Sequence, residues 1–207
     1  MILAIDASNI IIESGGFIHL RQLLENYNEK KIKKIYVFSS KTTIEKLKIK
    51  KKGVIFINNP YLNRGRNFRI FWQLFLLNRS LKKFKCSALF VLGGYFFFKK
   101  IPTIVIIQNL LPFIKKPKYN QKILSKIKNF ILKPLNESSI KRSDGVIFLS
   151  NFSKKMYKYY NVNKTVIPHG IENKFLFKKN NINYYNNLKK FRLLYLSKFE
   201  GYKNHDN

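Results

Sequence analysis

Two hydrophobic periodicities alternate along the chain. Short apolar runs bounded by Gly, Asn, Pro or charged residues are separated by longer stretches in which apolar residues recur every three to four positions. The first pattern is typical of buried strands and the second of amphipathic helices. The predicted strands are residues 1–5, 35–38, 53–57, 88–92, 103–107, 145–149 and 165–167. Because helices separate them, the pattern predicts an α/β fold with a Rossmann-like, doubly wound, mostly parallel sheet.

The helical stretches carry their own local signals. Helices are expected from about residue 17, from residue 42, from 68 to about 81, over 120–142 and over 153–160. Thr42 with Glu45 forms a plausible capping box for the second of these. Pro134 lies inside the long lysine-rich stretch and removes an amide donor, so a kink or two consecutive helices is expected there.

An aromatic stripe marks the helix that starts near residue 68. Its members share helical spacing and are Phe68, Phe71, Trp72, Phe75 and Leu76. Such a stripe favours packing into the core. The alternative is insertion into a membrane interface, which Arg64, Arg66 and Arg69 nearby support.

Two glycine pairs follow predicted strands. Gly15-Gly16 comes between the first strand and its helix, and Gly93-Gly94 ends the fourth strand. Glycine lets a ligand approach the backbone closely, and the first turn of a helix offers free N–H groups to an anion. Since the carboxyl ends of parallel strands share one edge, where ligands bind, both pairs are expected at that edge.

The chain is strongly basic. The chain has 41 Lys and Arg against 10 Asp and Glu, a net charge of +31. Either a Lys-, Asn- and Ile-biased composition or a basic face for anionic lipid or nucleic acid explains this excess.

Cys86 is the only cysteine, so no intrachain disulfide forms, and a core thiol in a reducing compartment is expected. Asp6 within the first apolar run indicates a strand rather than a signal peptide. The uncharged stretch 86–98 is shorter than the roughly 20 residues that span a bilayer.

Three ordered motifs lie in residues 143–172. They read SDGVI from residue 143, SNFSK from residue 150 and VIPHGIE from residue 166. Together they resemble the close of the N-terminal domain of family 4 glycosyltransferases, which are retaining, two-domain enzymes of the GT-B fold that use nucleotide sugars. The resemblance implies an acceptor-side domain over 1–172, a linker over 173–190 and the start of a donor-binding domain over 191–207. It also implies a chain truncated before the family's Glu-x7-Glu segment.

The resemblance further implies where substrates bind. Gly15 and Gly16 would lie beside the donor phosphates, and Lys198 and Lys203, with four residues between them, would hold the donor diphosphate. Lysine in place of the more frequent arginine supplies charge without a bidentate fork, and two unrelated surface lysines are the alternative interpretation. The expected acceptor cleft comprises Gly93, Gly94, Gln108, Asn109, Ser150 and Asn151.

Catalytic residues stay unassigned at this stage. Gln108 stands where family members often carry histidine, and an amide cannot titrate. The three histidines His19, His169 and His205 do not share metal-ligand spacing, so no metal site is predicted. His169 is interpreted as a structural residue near the hinge.

The resemblance therefore implies transfer of a hexose from a nucleotide diphosphate sugar to a glycan or lipid-linked acceptor. It implies that this transfer needs no cofactor and takes place in the cytoplasm or peripherally at the inner face of the cell membrane. The segment from Asn109 to Phe113 resembles a branch that makes bacterial surface polysaccharide, and the 207-residue chain alone is expected to have little activity. A non-catalytic basic nucleic-acid- or membrane-binding protein is the alternative, although no compact nucleic-acid recognition motif is present. A nucleotide-dependent oxidoreductase would need a G-x-G-x-x-G fingerprint after the first strand, which is missing.

Overall fold

A seven-stranded parallel sheet forms the centre of the molecule. The computed structural model describes residues 1–93, 95–113 and 123–171, apart from the side chains of residues 124 and 125. Within those residues the strands are β1 Ile2–Asp6, β2 Lys34–Phe38, β3 Val54–Ile57, β4 Ala88–Val91, β5 Thr103–Ile107, β6 Gly145–Phe148 and β7 Asn163–Val166. Their order is β3-β2-β1-β4-β5-β6-β7, and every neighbouring pair is parallel. The predicted Rossmann-like α/β fold is confirmed.

Helices cover both faces of the sheet. They are α1 Gly15–Asn26, α2 Lys41–Leu47, α3 Arg66–Phe71, α4 Leu77–Lys83, α5 Ile123–Arg142 and α6 Asn151–Met156. Short 3-10 turns occupy Pro60–Asn63 and Leu111–Phe113, and a π-helical turn, Trp72–Leu76, joins α3 to α4. None of the helices in these described segments is both long and apolar enough to cross a membrane.

Alternating strand residues build two cores. Ala4 and Phe38 point to the face covered by α4 and α5, where Trp72 packs. Ile5 and Val37 point to the face covered by α1 and α2. The inner strands β1, β2, β4, β5 and β6 are largely buried and form short, mostly apolar runs rather than alternating ones, so their pattern could be recognised in the sequence. The edge strand β7, with sequence NKTV, is half exposed and lacks that pattern.

Serine hydroxyls define where three helices begin. Ser14 Oγ accepts from the amide of Phe17 at 3.2 Å, and Ser40 Oγ accepts from the amide of Thr43 at 3.3 Å. The predicted capping box starting at Thr42 is therefore wrong, because the N-cap lies two residues earlier and strand β2 ends just before it. Ser150 and Ser153 form a reciprocal capping box, which starts α6 two residues before the predicted position.

The aromatic stripe packs differently from the sequence prediction. Trp72 is buried, but Phe68, Phe71 and Phe75 are 42%, 41% and 56% exposed. The expectation that all of these aromatic side chains enter the core is wrong. The side of this helical segment that meets the sheet carries Trp72 and Gln73, and Gln73 is held there by a hydrogen bond to buried Asp6. The three phenylalanines are consequently left toward solvent.

Helix α5 passes through Pro134 as a single helix of 20 residues, so the option of two consecutive helices is wrong. Pro134 and Phe130 are both exposed. The carbonyl group that loses its amide donor therefore lies on the solvent side, where water can satisfy it. The linker predicted over 173–190 and the start of the donor-binding domain predicted over 191–207 lie outside the described residues.

Candidate functional site

A cleft opens where the direction of winding reverses. Strand β1 pairs with β2 on one side and with β4 on the other, and the crevice beyond the carboxyl ends of two such strands is the usual ligand site of an open α/β sheet. Here the cleft has a volume of about 560 Å³. Its lining residues come from several loops and helices and include Asn9, Ser14, Gly16, Arg66, Arg69, Gly93, Tyr95, Gln108, Asn109, Lys128, Leu132 and Asn136. We call it the switch-point cleft.

Three buried polar atoms in this lining have no hydrogen-bond partner among the residues that the structure describes. They are Asn9 Nδ2, Arg69 Nε and Asn136 Oδ1. Asn136 as a whole residue is only 6% exposed. Leaving such an atom unsatisfied costs about 1–3 kcal/mol. Donors and an acceptor converging on one cleft are the arrangement expected of a polar ligand site.

The cleft is also cationic. Arg66, Arg69 and Lys128 line it, and no Asp or Glu is among the described lining residues. Asp6 is buried at the end of β1, and burial raises its pKa. The amide of Ser8 donates to Asp6 Oδ1 at 3.0 Å and Gln73 Nε2 donates to Oδ2 at 2.7 Å. Asp6 is not among the described lining residues and both of its carboxyl oxygens already accept hydrogen bonds, so the cations of the lining are left for an anionic ligand.

Tyr95 lies in the loop after β4, and hydrogen bonds to α5 hold that loop at the cleft. Ser139 Oγ accepts from the amide of Phe96 at 2.9 Å and donates to the carbonyl of Leu135 at 2.8 Å. This ties the loop to α5. Burial, followed by the nearby Asp6 carboxylate, raises the pKa of the Tyr95 hydroxyl. Tyr95 therefore serves as a hydrogen-bonding group that keeps its proton.

One wall of the cleft joins β5 to α1. Gln108 Nε2 lies 3.1 Å from His19 Nδ1, and the His19 and His169 rings meet edge to face with centroids 4.8 Å apart. A Cβ at Gly16 would lie 3.4 Å from Gln108 Oε1 and 3.0 Å from Ile10 Cδ1. Glycine at position 16 is what permits this close approach.

Comparison with known proteins decides the family. Residues 14–175, well over half of the chain, match the family described as Glycosyltransferase Family 4. The chain belongs to Glycosyltransferase Family 4. No curated protein matches it. The resemblance noted in the sequence is thereby confirmed at the level of the family, and a sugar donor and an acceptor are its general partners.

In this family 4 chain, four predicted site residues meet in one place. Gly16, Gly93, Gln108 and Asn109 all line the switch-point cleft. Gly15 starts α1 beside it, with open space within 4 Å of an added Cβ. The expectation that the two glycine pairs share an edge is met by Gly16 and Gly93.

The remaining predicted site residues are not brought to this cleft. Ser150 and Asn151 begin α6 at the same edge of the sheet but do not line the cleft, and Ser150 Oγ is used to accept from the amide of Ser153. Their role in acceptor binding stays a prediction. Gly94, Lys198 and Lys203 lie outside the described residues, so their roles stay predictions as well.

Sequence reasoning missed several residues of the family 4 cleft. Arg66 and Arg69 stand one helical turn apart shortly after β3, and that spacing could have marked them. Lys128, Leu132 and Asn136 share a face of α5 at four-residue intervals, but nothing local says that this face meets the sheet edge. Asn9 follows β1 directly and could have been found by the rule that polar residues after parallel strands line the ligand edge.

Proposed function

We propose that the protein is a retaining glycosyltransferase of the GT-B type that transfers a hexose from a nucleotide diphosphate sugar to a glycan or lipid-linked acceptor in bacterial surface polysaccharide synthesis. The observation that carries this proposal is the switch-point cleft of a family 4 chain. Within the described residues, buried atoms of Asn9, Arg69 and Asn136 lack a hydrogen-bond partner there, and no carboxylate lines the cleft beside its cations. Sugars offer many hydroxyl groups, and a diphosphate offers charge, so a glycosyl donor and acceptor suit that lining.

The donor would lie between two groups of residues. The free amides of Gly15 and Gly16 open a 12-residue helix and attract an anion. Lys198 and Lys203 would approach the same diphosphate from a donor-binding domain to which residues 191–207 belong, beyond the linker 173–190. Charge-assisted hydrogen bonds from both sides would then position the donor without any metal or cofactor.

The acceptor would lie against residues 1–172. Gln108 and Asn109 offer amide donors and acceptors to sugar hydroxyls, and Gly93, with Gly94, lets the sugar approach the backbone. Ser150 and Asn151 would extend the acceptor site along the sheet edge. Binding both substrates in one closed cleft would exclude water and favour transfer over hydrolysis.

We further propose that the protein works at the cytoplasmic face of the membrane. Helix α5 exposes an apolar stripe at helical spacing, made of Ile123, Ile127, Phe130 and Ile131. Lys126, Lys128 and Lys133 lie on the same helix. An apolar stripe flanked by lysines is the composition of a helix that rests on anionic lipid.

Membranes from the source cell test the proposed function. Deleting the gene should abolish incorporation of label from one nucleotide diphosphate hexose into membrane glycan or lipid, and the wild-type gene should restore it. An Asn136→Leu gene, which removes a cleft acceptor while keeping a similar volume, should restore less than a tenth of the label. Unchanged incorporation from every donor after deletion would overturn the proposal.

A further inference from the structure

The two edges of the sheet carry different charge. Because all strands are parallel, the segments that lead into strands lie at the amino edge, and those that leave strands lie at the carboxyl edge with the switch-point cleft. The segments that lead into β2 to β7 are 27–33, 48–53, 84–87, 98–102, 143–144 and 157–162. They contain eleven lysines and only two acidic residues, Glu29 and Asp144.

The carboxyl edge has almost no basic residues in its connections. The described segments there are 7–14, 39–40, 58–65, 92–93, 108–113, 149–150 and 167–171. Arg64 is the one Lys or Arg among these described residues. A uniform lysine bias predicts similar numbers in two sets of segments of similar length, so biased composition alone does not explain the difference.

The eleven lysines form one surface, which we call the amino rim. Its members are Lys30, Lys31, Lys33, Lys48, Lys50, Lys51, Lys52, Lys85, Lys99, Lys100 and Lys158. Neighbouring segments of the rim are in contact. Lys51 Nζ donates to the carbonyl of Glu25 at 2.7 Å, and Lys99 Nζ lies 2.6 Å from Asp144 Oδ1. With about 4.8 Å between strands, the rim from β3 to β7 spans roughly 29 Å.

The fold uses few of these charges. Lys51 and Lys99 make the contacts just described, but the other nine rim lysines are exposed and form no ion pair with a carboxylate among the described residues. Like charges held together destabilise the folded chain, and a polyanion would offset that repulsion. Lysine is a compact point charge without the planar fork of arginine. The rim therefore suits a chain of repeated phosphates rather than one phosphate held in a fixed geometry.

Aromatic rings are interleaved with the cations of the amino rim. Lys51 Nζ lies 4.4 Å from the ring centroid of Tyr27, and Lys158 Nζ lies 4.8 Å from that of Tyr159. Tyr159 is 85% exposed and Phe98 is 50% exposed. Exposed rings beside lysines let unpaired bases stack while the cations follow the phosphates. In a duplex the bases already stack on one another, so the rings favour a single strand.

We propose that the amino rim binds single-stranded nucleic acid without sequence preference, with the phosphates on its lysines and bases stacked on Phe98 and Tyr159. A strand stacked at about 3.4 Å per nucleotide would cover the rim with roughly eight nucleotides. The rim and the switch-point cleft lie at opposite edges of the sheet. This binding activity is therefore separate from the proposed glycosyl transfer, and neither depends on the other.

Fluorescence anisotropy with labelled DNA at physiological salt tests the preference for a single strand. The probes are an oligothymidylate of about 12 nucleotides and a duplex of the same length. A surface that acts by charge alone would prefer the duplex, because its phosphate density is higher. The wild type should instead bind the single strand at least tenfold more tightly, and equal or tighter binding of the duplex would overturn the proposal.

A triple substitution tests the lysines. Lys33→Gln with Lys52→Gln and Lys100→Gln should weaken single-strand binding at least tenfold. It should also reduce the slope of log affinity against log salt by about 2, since three phosphate contacts are lost. The control, Lys41→Gln with Arg64→Gln and Lys126→Gln, removes three exposed charges outside the rim and should change neither quantity. Equal loss in the control would assign the binding to net charge and overturn the proposal.

A double substitution tests the rings. Phe98→Ala with Tyr159→Ala should weaken single-strand binding about fivefold or more and leave the salt slope unchanged, because stacking releases no counterions. Phe130→Ala with Phe152→Ala removes two exposed rings outside the rim and should have no effect. Thermal unfolding by circular dichroism identifies any variant that fails to fold, and the single substitutions Lys52→Gln and Tyr159→Ala then replace the multiple ones. Unchanged affinity in the folded Phe98 and Tyr159 variant would overturn the stacking.

An anionic membrane is the other surface that could cover the rim. Sedimentation of the same lysine variant with phosphatidylglycerol vesicles distinguishes the two partners. Loss of oligonucleotide affinity supports the proposal. If the variant loses vesicle binding while its oligonucleotide affinity is unchanged, the rim serves lipid and the proposal is wrong.

Discussion

The side-chain amide nitrogen of Gln108 lies 3.1 Å from Nδ1 of His19, and this contact joins the end of β5 to α1. An amide nitrogen only donates, so Nδ1 accepts and the neutral ring carries its proton on Nε2. Burial, followed by the charge of His169, lowers the pKa of His19. A protonated ring could not accept from Gln108, so the hydrogen bond and the low pKa both favour neutral imidazole at this wall of the cleft.

Replacing His169 with asparagine should raise the pKa of His19 without restoring it to the usual value of about 6.5. The charge of His169 is the smaller cause and burial, the larger one, persists. Two-dimensional NMR of the imidazole nitrogens measures both the pKa and the tautomer. In urea the shift should vanish in both proteins. A His19 that titrates normally in the folded wild type would contradict the arrangement.

The same pKa shift gives stability a pH dependence. Below the usual pKa the unfolded chain binds a proton at His19 more readily than the folded chain does, so the free energy of unfolding should fall as pH drops from about 6.5 through the lower folded pKa. His19→Gln should flatten that part of the profile. Urea unfolding at a series of pH values is the measurement, and an unchanged slope in His19→Gln would assign the effect to other groups.

The two glycines at the start of α1 should respond oppositely to alanine. Gly15 has open space around an added Cβ, so Gly15→Ala should stabilise by about 0.4–1 kcal/mol through the unfolded state. At Gly16 the Cβ would lie 3.0 Å from Ile10 Cδ1, and Gly16→Ala should destabilise by about 1–3 kcal/mol. Chemical denaturation of both variants provides the comparison. Equal effects would show that the contact with Ile10 relaxes freely.

Most of the fold could be predicted because its signals are local. Six of the seven described strands are short apolar runs between polar residues, and all described strand boundaries fall within two residues of the predicted ones. The direction in which a helix faces is not local. For the segment from Phe68 to Phe75 the sequence showed an apolar stripe, but the contact between Gln73 and Asp6 fixes which side meets the sheet. These two residues are 67 positions apart, and no periodicity connects them.

Some residues of the candidate site could likewise be predicted from local signals, and others could not. Gly16, Gly93 and Gln108 follow or adjoin strand ends, so the rule that ligands bind beyond parallel strands found them. Asn136 and Lys128 reach the cleft only because α5, which connects β5 to β6 along the chain, packs with that face toward the cleft. Their position in the site depends on how α5 packs, and no local pattern in a single sequence predicts that packing.

Asparagine should replace Asp6 with little loss of stability. Burial raises the pKa of Asp6, so the folded state disfavours the charge that asparagine lacks, and the amide oxygen still accepts from one of its two donors. Asp6→Ala should cost about 1–3 kcal/mol more, because Gln73 and the amide of Ser8 both lose a partner while buried. Urea unfolding at neutral pH ranks the two variants.

The wild type should also become less stable as pH rises through the raised folded pKa of Asp6, because above about 3.9 the unfolded chain loses this proton first. Asp6→Asn should remove that component of the profile. If Asp6→Asn and Asp6→Ala were equally destabilised, the hydrogen bonds to Gln73 and Ser8 would carry no net stability.

Cys86 should resist thiol reagents while the protein is folded. Its side chain is buried, and burial raises its pKa to about 11, so at pH 8 very little reactive thiolate is present. Ellman's reagent should therefore modify less than about a tenth of the chain in an hour and all of it after unfolding in guanidinium. Fast modification of the folded chain would show that β4 and its neighbours open locally.

The membrane proposal predicts that Ile127 contributes to vesicle binding and that Ile18 does not. Ile127 on α5 is 52% exposed and Ile18 on α1 is 53% exposed, but the two helices cover opposite faces of the sheet. Loss of one isoleucine from a lipid interface costs about 1.5–3 kcal/mol at most. Ile127→Ser should therefore weaken binding to anionic vesicles on the order of tenfold, whereas Ile18→Ser should leave it unchanged.

Vesicle composition and salt complete that test. Sedimentation should show stronger binding to phosphatidylglycerol vesicles than to phosphatidylcholine vesicles, because the lysines of α5 attract anionic lipid. Added salt should weaken this binding because it screens that attraction. Nucleic acid binds any strongly basic chain at low salt, so duplex DNA is added as a competitor at physiological salt. If Ile18→Ser and Ile127→Ser lose equal affinity, or if neutral and anionic vesicles retain the wild type equally, α5 does not rest on the membrane and the exposed stripe has another partner.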